Sequence, residues 1–459
     1  MDNQTSAAPA EKKNLLESLK NTVNSFSKKT KLLFVAAVAL VVVLLVVAVA
    51  VTVLNANQYK DSDTLFSEGL LCVQQGSRWG YVNEKGKVKI PAKFDEAYAF
   101  AENGLARVRD DDEWGFIAKN GKYKIEPQFD DARGFSSVGL AAVKVDGEWG
   151  FVNKSGKAVI EAKYEEVTSF TEYGVAAVRV DGKWGFINTK GKYIAEPEYD
   201  SYKLSDTDAY IAVCEVNKDG EAEWGFINKK GQTVIDIDYE DVTLFDEEYG
   251  IACIKDDGEW GAINRKGKTV VSPNYDSAFY FGANKLAAVC LDGEYGYINM
   301  KGVVVINPEY DFAGMFAENG LALFLDGGKY GFINAKNKEV INNKFEEAMS
   351  FADGELAGVK IDGKWGFVNK KGKVVIEPQF SEVNGFAPNG LGMVEVGGGA
   401  YGYINEKGQY VINPKFDAAL SFDYADGFAL VAYGDKLRII DAKGNYLTKK
   451  GFDNVNLNV

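Results

Sequence analysis

The chain has 459 residues, a formal net charge of −14, no histidine, and 13% aromatic residues. Because histidine is the usual general base and the commonest metal ligand, its absence excludes Ser-His-Asp and Cys-His catalysis and histidine-based zinc sites. The many aromatic residues and 49 glycines, against 9 prolines, favour β-structure with many turns over a helical bundle.

Residues 1–31 are predicted to be a basic cytoplasmic tail. Its six lysines, at positions 12, 13, 20, 28, 29 and 31, outnumber Asp2, Glu11 and Glu17. Within 15–28, five apolar residues recur near helical spacing: Leu15, Leu16, Leu19, Val23 and Phe26. This segment is either an amphipathic helix on the inner membrane face or a short disordered tail, and the sequence leaves both open.

Residues 32–54 contain no charge and are predicted to be one transmembrane helix, followed by a linker over 55–64. A helix of this length covers about 35 Å, enough for a hydrocarbon core of about 30 Å. The run is too long for a signal-peptide core. The lysines before it predict a cytoplasmic N-terminus, with the rest of the chain extracytoplasmic. That remainder is acidic, which argues against nucleic acid or anionic lipid as its partner.

Residues 65–459 are predicted to be a repeat domain, because an aromatic residue followed by glycine recurs ten times, at steps of about 35 residues. The aromatic positions are Trp79, Trp114, Trp149, Trp184, Trp224, Trp260, Tyr295, Tyr330, Trp365 and Tyr401. An eleventh unit near Lys436 keeps the pattern of the others but has lost the pair.

One unit, residues 139–173, shows how each repeat is predicted to fold. Three strands are expected, over 140–145, 148–153 and 157–161, with a possible short fourth strand leading into the next unit. Asp146-Gly147 predicts a two-residue hairpin turn, and Gly156 ends a longer loop. Gly150 leaves a bare spot beside Trp149, and we expect an aromatic residue of the neighbouring unit to fill it. A unit this small needs its neighbours for stability.

The motif W-G-[FY]-[IV]-N-x-x-G, with P-x-[FY]-D behind it and F-x-x-x-G-L-A before the next unit, resembles the WG (KWG) repeat of bacterial proteins. The resemblance covers about residues 65–459. Tyrosine replaces tryptophan at 295, 330 and 401, Ala262 replaces an aromatic residue, and the last unit is degenerate. The resemblance implies a β-repeat domain, often on envelope proteins, and no defined catalytic activity.

About eleven four-stranded units predict an all-β, β-propeller-like arrangement, as one large or open ring or as two smaller rings. The alternative is a β-solenoid or superhelix. The one longer step, of 40 residues between Trp184 and Trp224, is interpreted as a lengthened hairpin rather than a domain boundary.

Candidate catalytic groups have weaker support than structural ones. The acidic residues Asp95, Asp130, Asp200, Asp276 and Asp311 recur with the repeat, which favours turn-forming roles over a unique catalytic pair. Cys72, Cys214, Cys253 and Cys290 form no C-x-x-C motif and are interpreted as small core residues, with a Cys253–Cys290 disulfide left open. The segment 397–402 fits a hairpin and not a nucleotide-binding loop.

The sequence therefore predicts a non-enzymatic, single-pass membrane protein with no metal, cofactor, nucleic acid or small-molecule substrate. Its extracytoplasmic repeats are expected to bind an envelope protein or a cell-wall polymer, or else to act as a structural spacer. The ten aromatic residues are either a core ladder, the favoured interpretation, or an exposed ladder for a glycan.

Overall fold

The repeat unit folds as a small antiparallel sheet in which β-branched and aromatic residues alternate with exposed polar ones. The computed structural model describes residues 64–206, 208–351, 354–422 and 426–457. In the unit analysed above, the strands span Leu140–Val145, Glu148–Asn153 and Ala158–Tyr164, and the pairing partner on the other edge is Asp131–Phe135. The three predicted strands are confirmed, with the last one ending three residues later than expected.

Within the described residues, forty-two strands form eleven sheets. Sheets 1 to 4 contain β1 Leu70–Gln75, β2 Arg78–Asn83, β3 Val88–Phe94; β4 Glu96–Ala97, β5 Leu105–Asp110, β6 Glu113–Ala118, β7 Tyr123–Phe129; β8 Asp131–Phe135, β9 Leu140–Val145, β10 Glu148–Asn153, β11 Ala158–Tyr164; and β12 Glu166–Val167, β13 Val175–Val180, β14 Lys183–Asn188, β15 Tyr193–Tyr199.

Sheets 5 to 8 contain β16 Ser201–Lys203, β17 Tyr210–Val216, β18 Ala222–Asn228, β19 Thr233–Tyr239; β20 Asp241–Val242, β21 Ile251–Asp256, β22 Glu259–Asn264, β23 Thr269–Tyr275; β24 Leu286–Leu291, β25 Glu294–Asn299, β26 Val304–Tyr310; and β27 Phe312–Phe316, β28 Leu321–Asp326, β29 Lys329–Asn334, β30 Glu339–Phe345.

Sheets 9 to 11 contain β31 Glu347–Ala348, β32 Leu356–Ile361, β33 Lys364–Asn369, β34 Val374–Phe380; β35 Glu382–Phe386, β36 Leu391–Val396, β37 Ala400–Asn405, β38 Tyr410–Phe416; and β39 Ala418–Ala419, β40 Phe428–Tyr433, β41 Lys436–Asp441. The last strand, β42 Asn454–Asn456, pairs with β1 and so becomes the first strand of sheet 1.

The pairing of β42 with β1 closes the eleven sheets into one ring. Cys72, Val73 and Gln74 face Asn456, Val455 and Asn454 in antiparallel register. A core cluster joins residues of both chain ends, including Leu65, Phe66, Val73, Leu430 and Phe452. The structure therefore selects the closed propeller-like arrangement over two rings or an open solenoid.

In sheet 3, β8, β9, β10 and β11 are the first to fourth strands, and equivalent strands of the other sheets are numbered in the same way. Each sheet has two ends, which are the same around the ring. At the hairpin end, the turn between the second and third strands lies beside the crossing to the next sheet, which is only one residue long between β11 and β12. At the loop end lies the loop between the third and fourth strands, such as 153–157. An added Cβ on Gly156 of that loop would lie 3.2 Å from Ile125 in the preceding sheet, and Gly191 is placed in the same way on Ile160. The loops of successive sheets are therefore on the same end.

The 40-residue step is a lengthened hairpin. β17 and β18 stay paired from Tyr210↔Asn228 to Val216↔Ala222, with a longer turn over 217–221. Asn217 Oδ1 accepts hydrogen bonds from the backbone N–H groups of Asp219 and Glu221, which holds that turn. The insertion thus leaves the ring uninterrupted.

The predicted tail, transmembrane helix and most of the linker, residues 1–63, lie outside the described residues. Within the described part of the chain, no helix is long and apolar enough to cross a membrane.

Candidate binding surface

The aromatic-glycine pair lies on the third strand of ten of the eleven described sheets, close to the hairpin end. In sheet 3, Trp149 faces Lys144 on one neighbouring strand and Tyr164 on the other. Two cations cover the indole: the Arg133 guanidinium carbon lies 5.3 Å and Lys144 Nζ 6.0 Å from the ring centre. Such cation–π contacts are favourable and shield the ring from solvent.

The ten predicted aromatic residues occupy equivalent places, and none is exposed. Trp114, Trp149 and Trp365 are buried, at 7–8% exposure. The other seven are half-buried: Trp79, Trp184, Trp224, Trp260, Tyr295, Tyr330 and Tyr401. In ten sheets the third-strand aromatic pairs across the strand with the second recurring aromatic, as Trp365 does with Phe380. Little ring surface is therefore left for stacking on a ligand.

Glycine after the aromatic residue is required by the fourth strand of the same sheet. A Cβ on Gly150 would lie 2.6 Å from Ile160 O and 2.6 Å from Ala162 N. The register between β10 and β11 shifts at this point, so the β11 backbone bulges over the glycine. The expectation that a neighbouring unit's aromatic side chain fills this spot was wrong, because the backbone of the same unit occupies it.

Contact between sheets is made instead by the next aromatic along the strand. Phe151 is 1% exposed, and its ring lies 4.7 Å, centre to centre, from Phe170, which precedes β13 of the following sheet. The same contact recurs around the ring: Tyr81–Phe100, Phe116–Phe135, Phe226–Phe245, Tyr297–Phe316, Phe332–Phe351, Phe367–Phe386 and Tyr403–Phe422. These eight pairs give the sheets that they join the apolar cover that a single sheet lacks.

Four of the five recurrent acidic residues, Asp95, Asp130, Asp200 and Asp276, accept hydrogen bonds from backbone N–H groups at hairpin turns. Asp146 and Gly147 both have positive φ, 51° and 84°, as a two-residue type I′ turn requires. Asp130, in the crossing from the preceding sheet, accepts a 3.0 Å hydrogen bond from the Gly147 N–H. Asp276 accepts a 2.8 Å hydrogen bond from the Gly293 N–H in the same way, and this hydrogen bond is the largest cause of the lowered pKa of Asp276. These carboxylates are thus occupied with structure.

The four cysteines are free and buried. The Cys253–Cys290 disulfide that the sequence left open is not formed. Burial raises the pKa of Cys253 to about 11, although hydrogen bonds to Phe279 and Thr243 oppose this. A thiol that stays protonated at neutral pH is a poor nucleophile and a poor metal ligand.

A shallow depression of about 460 Å³ lies at the loop end of sheet 3. It is lined by Ser137, Val138, Gly139, Asn153, Lys154 and Ser155. Asn153 Oδ1 is already used by the backbone N–H groups of Ser155 and Lys157. Among the described residues, no group of three or more cysteine, aspartate or glutamate side chains could hold a metal ion.

The fold and its surface define a class: a closed ring of small β-sheets that presents repeated loops at its two ends. The chain belongs to the family described as WG containing repeat. Its sequence profile matches ten consecutive segments, residues 79–114, 114–149, 149–184, 184–218, 224–260, 260–295, 295–330, 330–365, 365–399 and 401–436. The resemblance noted from the sequence is therefore confirmed.

A comparison with curated proteins found no match. Among solved structures, the chain is similar to a eukaryotic initiation factor, with 13% identity, TM-score 0.41, and coverage of 69% of this chain and 96% of that one. It is also similar to BamB from Moraxella catarrhalis, with 10% identity, TM-score 0.28, and coverage of 69% and 95%. A third is the extracellular domain of a protein assigned as a hybrid two component system from B. thetaiotaomicron, with 11% identity, TM-score 0.28, and coverage of 84% and 71%. At these values the likenesses carry no functional argument.

Proposed function

We propose that this protein is a non-catalytic, membrane-anchored binding or scaffold protein of the bacterial cell envelope. A single span over 32–54 anchors it, with residues 1–31 in the cytoplasm and the ring outside. The ring docks an envelope protein or a cell-wall polymer. The competing function is that of a spacer without a specific ligand.

Ring closure is the observation that favours docking over spacing. A spacer gains length with every added repeat, whereas here the chain returns to its start and Asp453 N–H donates to Gln74 O at 3.0 Å. The eleven units therefore enlarge the ring and its loop surface but do not lengthen the protein as the repeats of a spacer would. A broad rigid surface made of loops is the arrangement that binding proteins use.

The non-catalytic part of the proposal is supported by the chemistry of the repeated residues. The chain has no histidine. The recurring carboxylates cap turns, and Cys72 and Cys253 are buried with raised pKa values. Among the described residues, no single unit stands out by a distinct set of reactive side chains, as a catalytic centre would.

Docking is tested with purified residues 61–459, which form a compact unit of their own. The immobilised ring is incubated with purified cell-wall polymer and, separately, with solubilised envelope proteins. We expect saturable binding of one of them that is abolished by substitutions at one end of the ring and not at the other. No saturable binding in either experiment would favour the spacer.

The anchoring is tested on the full chain in intact cells stripped of their wall. Added protease should degrade the ring and leave a fragment that contains the cytoplasmic tail and the span, because the lysines before residue 32 retain the N-terminus inside. A tag at residue 1 should stay protected. Complete protection of the ring would contradict the proposed topology.

A further inference from the structure

Charge is segregated between the two ends of the ring, although the net charge of the chain is −14. At the hairpin end, the two positions after the second recurring aromatic of each of the eleven units hold sixteen acidic residues and no lysine or arginine. At the loop end, the loops that follow the third strands of the eleven sheets hold twenty lysines and Arg265 against three acidic residues. The negative net charge of the chain therefore does not reveal that the loop end of the ring is basic, and we call this end the basic face.

The lysines of this face are available to bind an anionic partner. All twenty are exposed. Two of them form ion pairs among the described residues, Lys119 with Glu68 and Lys370 with Glu355. Arg265 pairs with the buried Asp208. The others in these loops have no such partner in the described part of the chain.

The loop end also carries acidic residues, in the loops between the first and second strands. Half of those in the described residues are concentrated in sheets 5 and 6, at 206, 208 and 246–248. Sheets 3 and 10 have none in these loops (136–139 and 387–390). The cations still outnumber the anions at this end, and the basic character is strongest away from sheets 5 and 6.

The described chain enters the ring at this same end. Leu70 pairs with Asn83, which begins a loop-end loop, and Glu68 Oε2 lies 2.6 Å from Lys119 Nζ in the loop of the next sheet. Phe66 N–H donates to Asp426 in the loop before β40. Nine residues, 55–63, separate the end of the predicted span from Thr64. Such a linker reaches at most about 30 Å.

We propose that the loop end of the ring binds the anionic lipid surface of the membrane in which the chain is anchored. This inference rests on the proposed anchoring at 32–54, and it names the surface that the basic face contacts. Each lysine close to an anionic bilayer strengthens the attraction to it, and salt screens this attraction over a Debye length. The acidic hairpin end is repelled by the same surface, so the ring is oriented with its hairpin end available to a partner.

The test measures co-sedimentation of residues 61–459 with vesicles of phosphatidylcholine alone or with about a third phosphatidylglycerol, an anionic content for which surface charge dominates binding. We expect binding to the anionic vesicles only, falling steeply between low and physiological salt. Using the ring without its span separates this result from the anchoring, which the protease experiment tests independently.

Two matched variants localise the binding. The first carries glutamine at six unpaired loop-end lysines, Lys85, Lys154, Lys190, Lys371, Lys407 and Lys443. The second carries glutamine at six lysines of the hairpin end, Lys163, Lys218, Lys329, Lys344, Lys364 and Lys415. We expect the first to bind anionic vesicles at least tenfold more weakly and the second to bind like the parent. Circular dichroism confirms that both are folded.

Three results would overturn the proposal. One is no binding of the parent ring to anionic vesicles. Another is equal weakening by the two variants, which would reflect overall charge rather than a face. The third is equally tight binding of a soluble polyanion, such as polyphosphate, that displaces the ring from vesicles, because the face would then recognise a polymer rather than a lipid surface.

Discussion

Sheet 3 lies within the ring, and the seam is the contact between sheets 11 and 1 where the ring closes. Different residues pack these two regions. Sheet 3 has Trp149-Gly150, a complete fourth strand and a first strand from the preceding crossing. In sheet 11, Leu437-Arg438 replaces the pair, and the segment after 441 pairs with β41 through the isolated bridges Leu437↔Phe452 and Ile440↔Tyr446. Both bridges keep the residue offset of the equivalent pairs in sheet 3. The loss of the tryptophan and the glycine therefore makes the pairing less regular but does not change its register.

The comparison shows which contacts join the sheets. At the seam, Phe452 has the position that Tyr164 has in sheet 3. The backbone N–H of Asp453 donates to Gln74 O, as the backbone N–H of Asp130 donates to Lys144 O. The aromatic-glycine pair is thus dispensable in one sheet of eleven, whereas the second aromatic and the crossing contact are retained. Ring closure depends on these retained contacts.

The largest effect is expected for Phe452→Ala. Phe452 is 1% exposed in the cluster that joins both chain ends, so its truncation should cost about 3–5 kcal/mol of unfolding free energy. Urea unfolding followed by circular dichroism measures it. The matched variant is Phe345→Ala, the equivalent aromatic within the ring, which is fully buried. A nearly silent Phe452→Ala beside a damaging Phe345→Ala would mean that the ring is open in solution.

The next effect tests the fourth-strand bulge. Gly150→Ala should cost about 1–3 kcal/mol, because the new Cβ meets the backbone of residues 160–162 and the strand must move. Gly385→Ala is the control, since no atom lies within 4 Å of a Cβ built there. Equal urea midpoints for the two variants would show that β11 does not lie over Gly150. Sheet 11, which has Arg438 at this place, already lacks a regular fourth strand.

Much of this architecture was predictable because it depends on local chemistry that repeats. Asp146-Gly147 specifies its turn by the φ angles that those two residues tolerate, and the spacing of Trp149 and its equivalents counts the sheets. Closure was not predictable, since the closing strand 454–456 carries no motif and its partner lies about 380 residues away. The role of Gly150 was also missed, because a bulge in the following strand leaves no mark in the residue pattern.

The basic loop end was missed for a different reason. The lysines were visible in the sequence, but only the register of the strands places 153–157 and its equivalents on one end and the crossings on the other. The net charge is a sum over the whole chain, so it does not show that basic and acidic residues lie at opposite ends of the ring. Charge arguments about a partner therefore require the topology first.

The smallest effect compares the carboxylate at the seam with its counterpart within the ring. A hydrogen bond from Lys436 lowers the pKa of Asp453, and the Gly76 N–H adds to this; Lys183 and the Val216 N–H do the same for Asp200. Because both pKa values lie below the unfolded value of about 3.9, their stabilisation is present above that pH and is lost as pH falls through the folded values. Asp453→Ala and Asp200→Ala should therefore lower the urea midpoint similarly at pH 7. Each should converge on the parent protein as the pH falls through the folded pKa values and the carboxyl groups become protonated. A loss confined to Asp200→Ala would show that the seam is not capped like the other crossings, even if the ring stays closed.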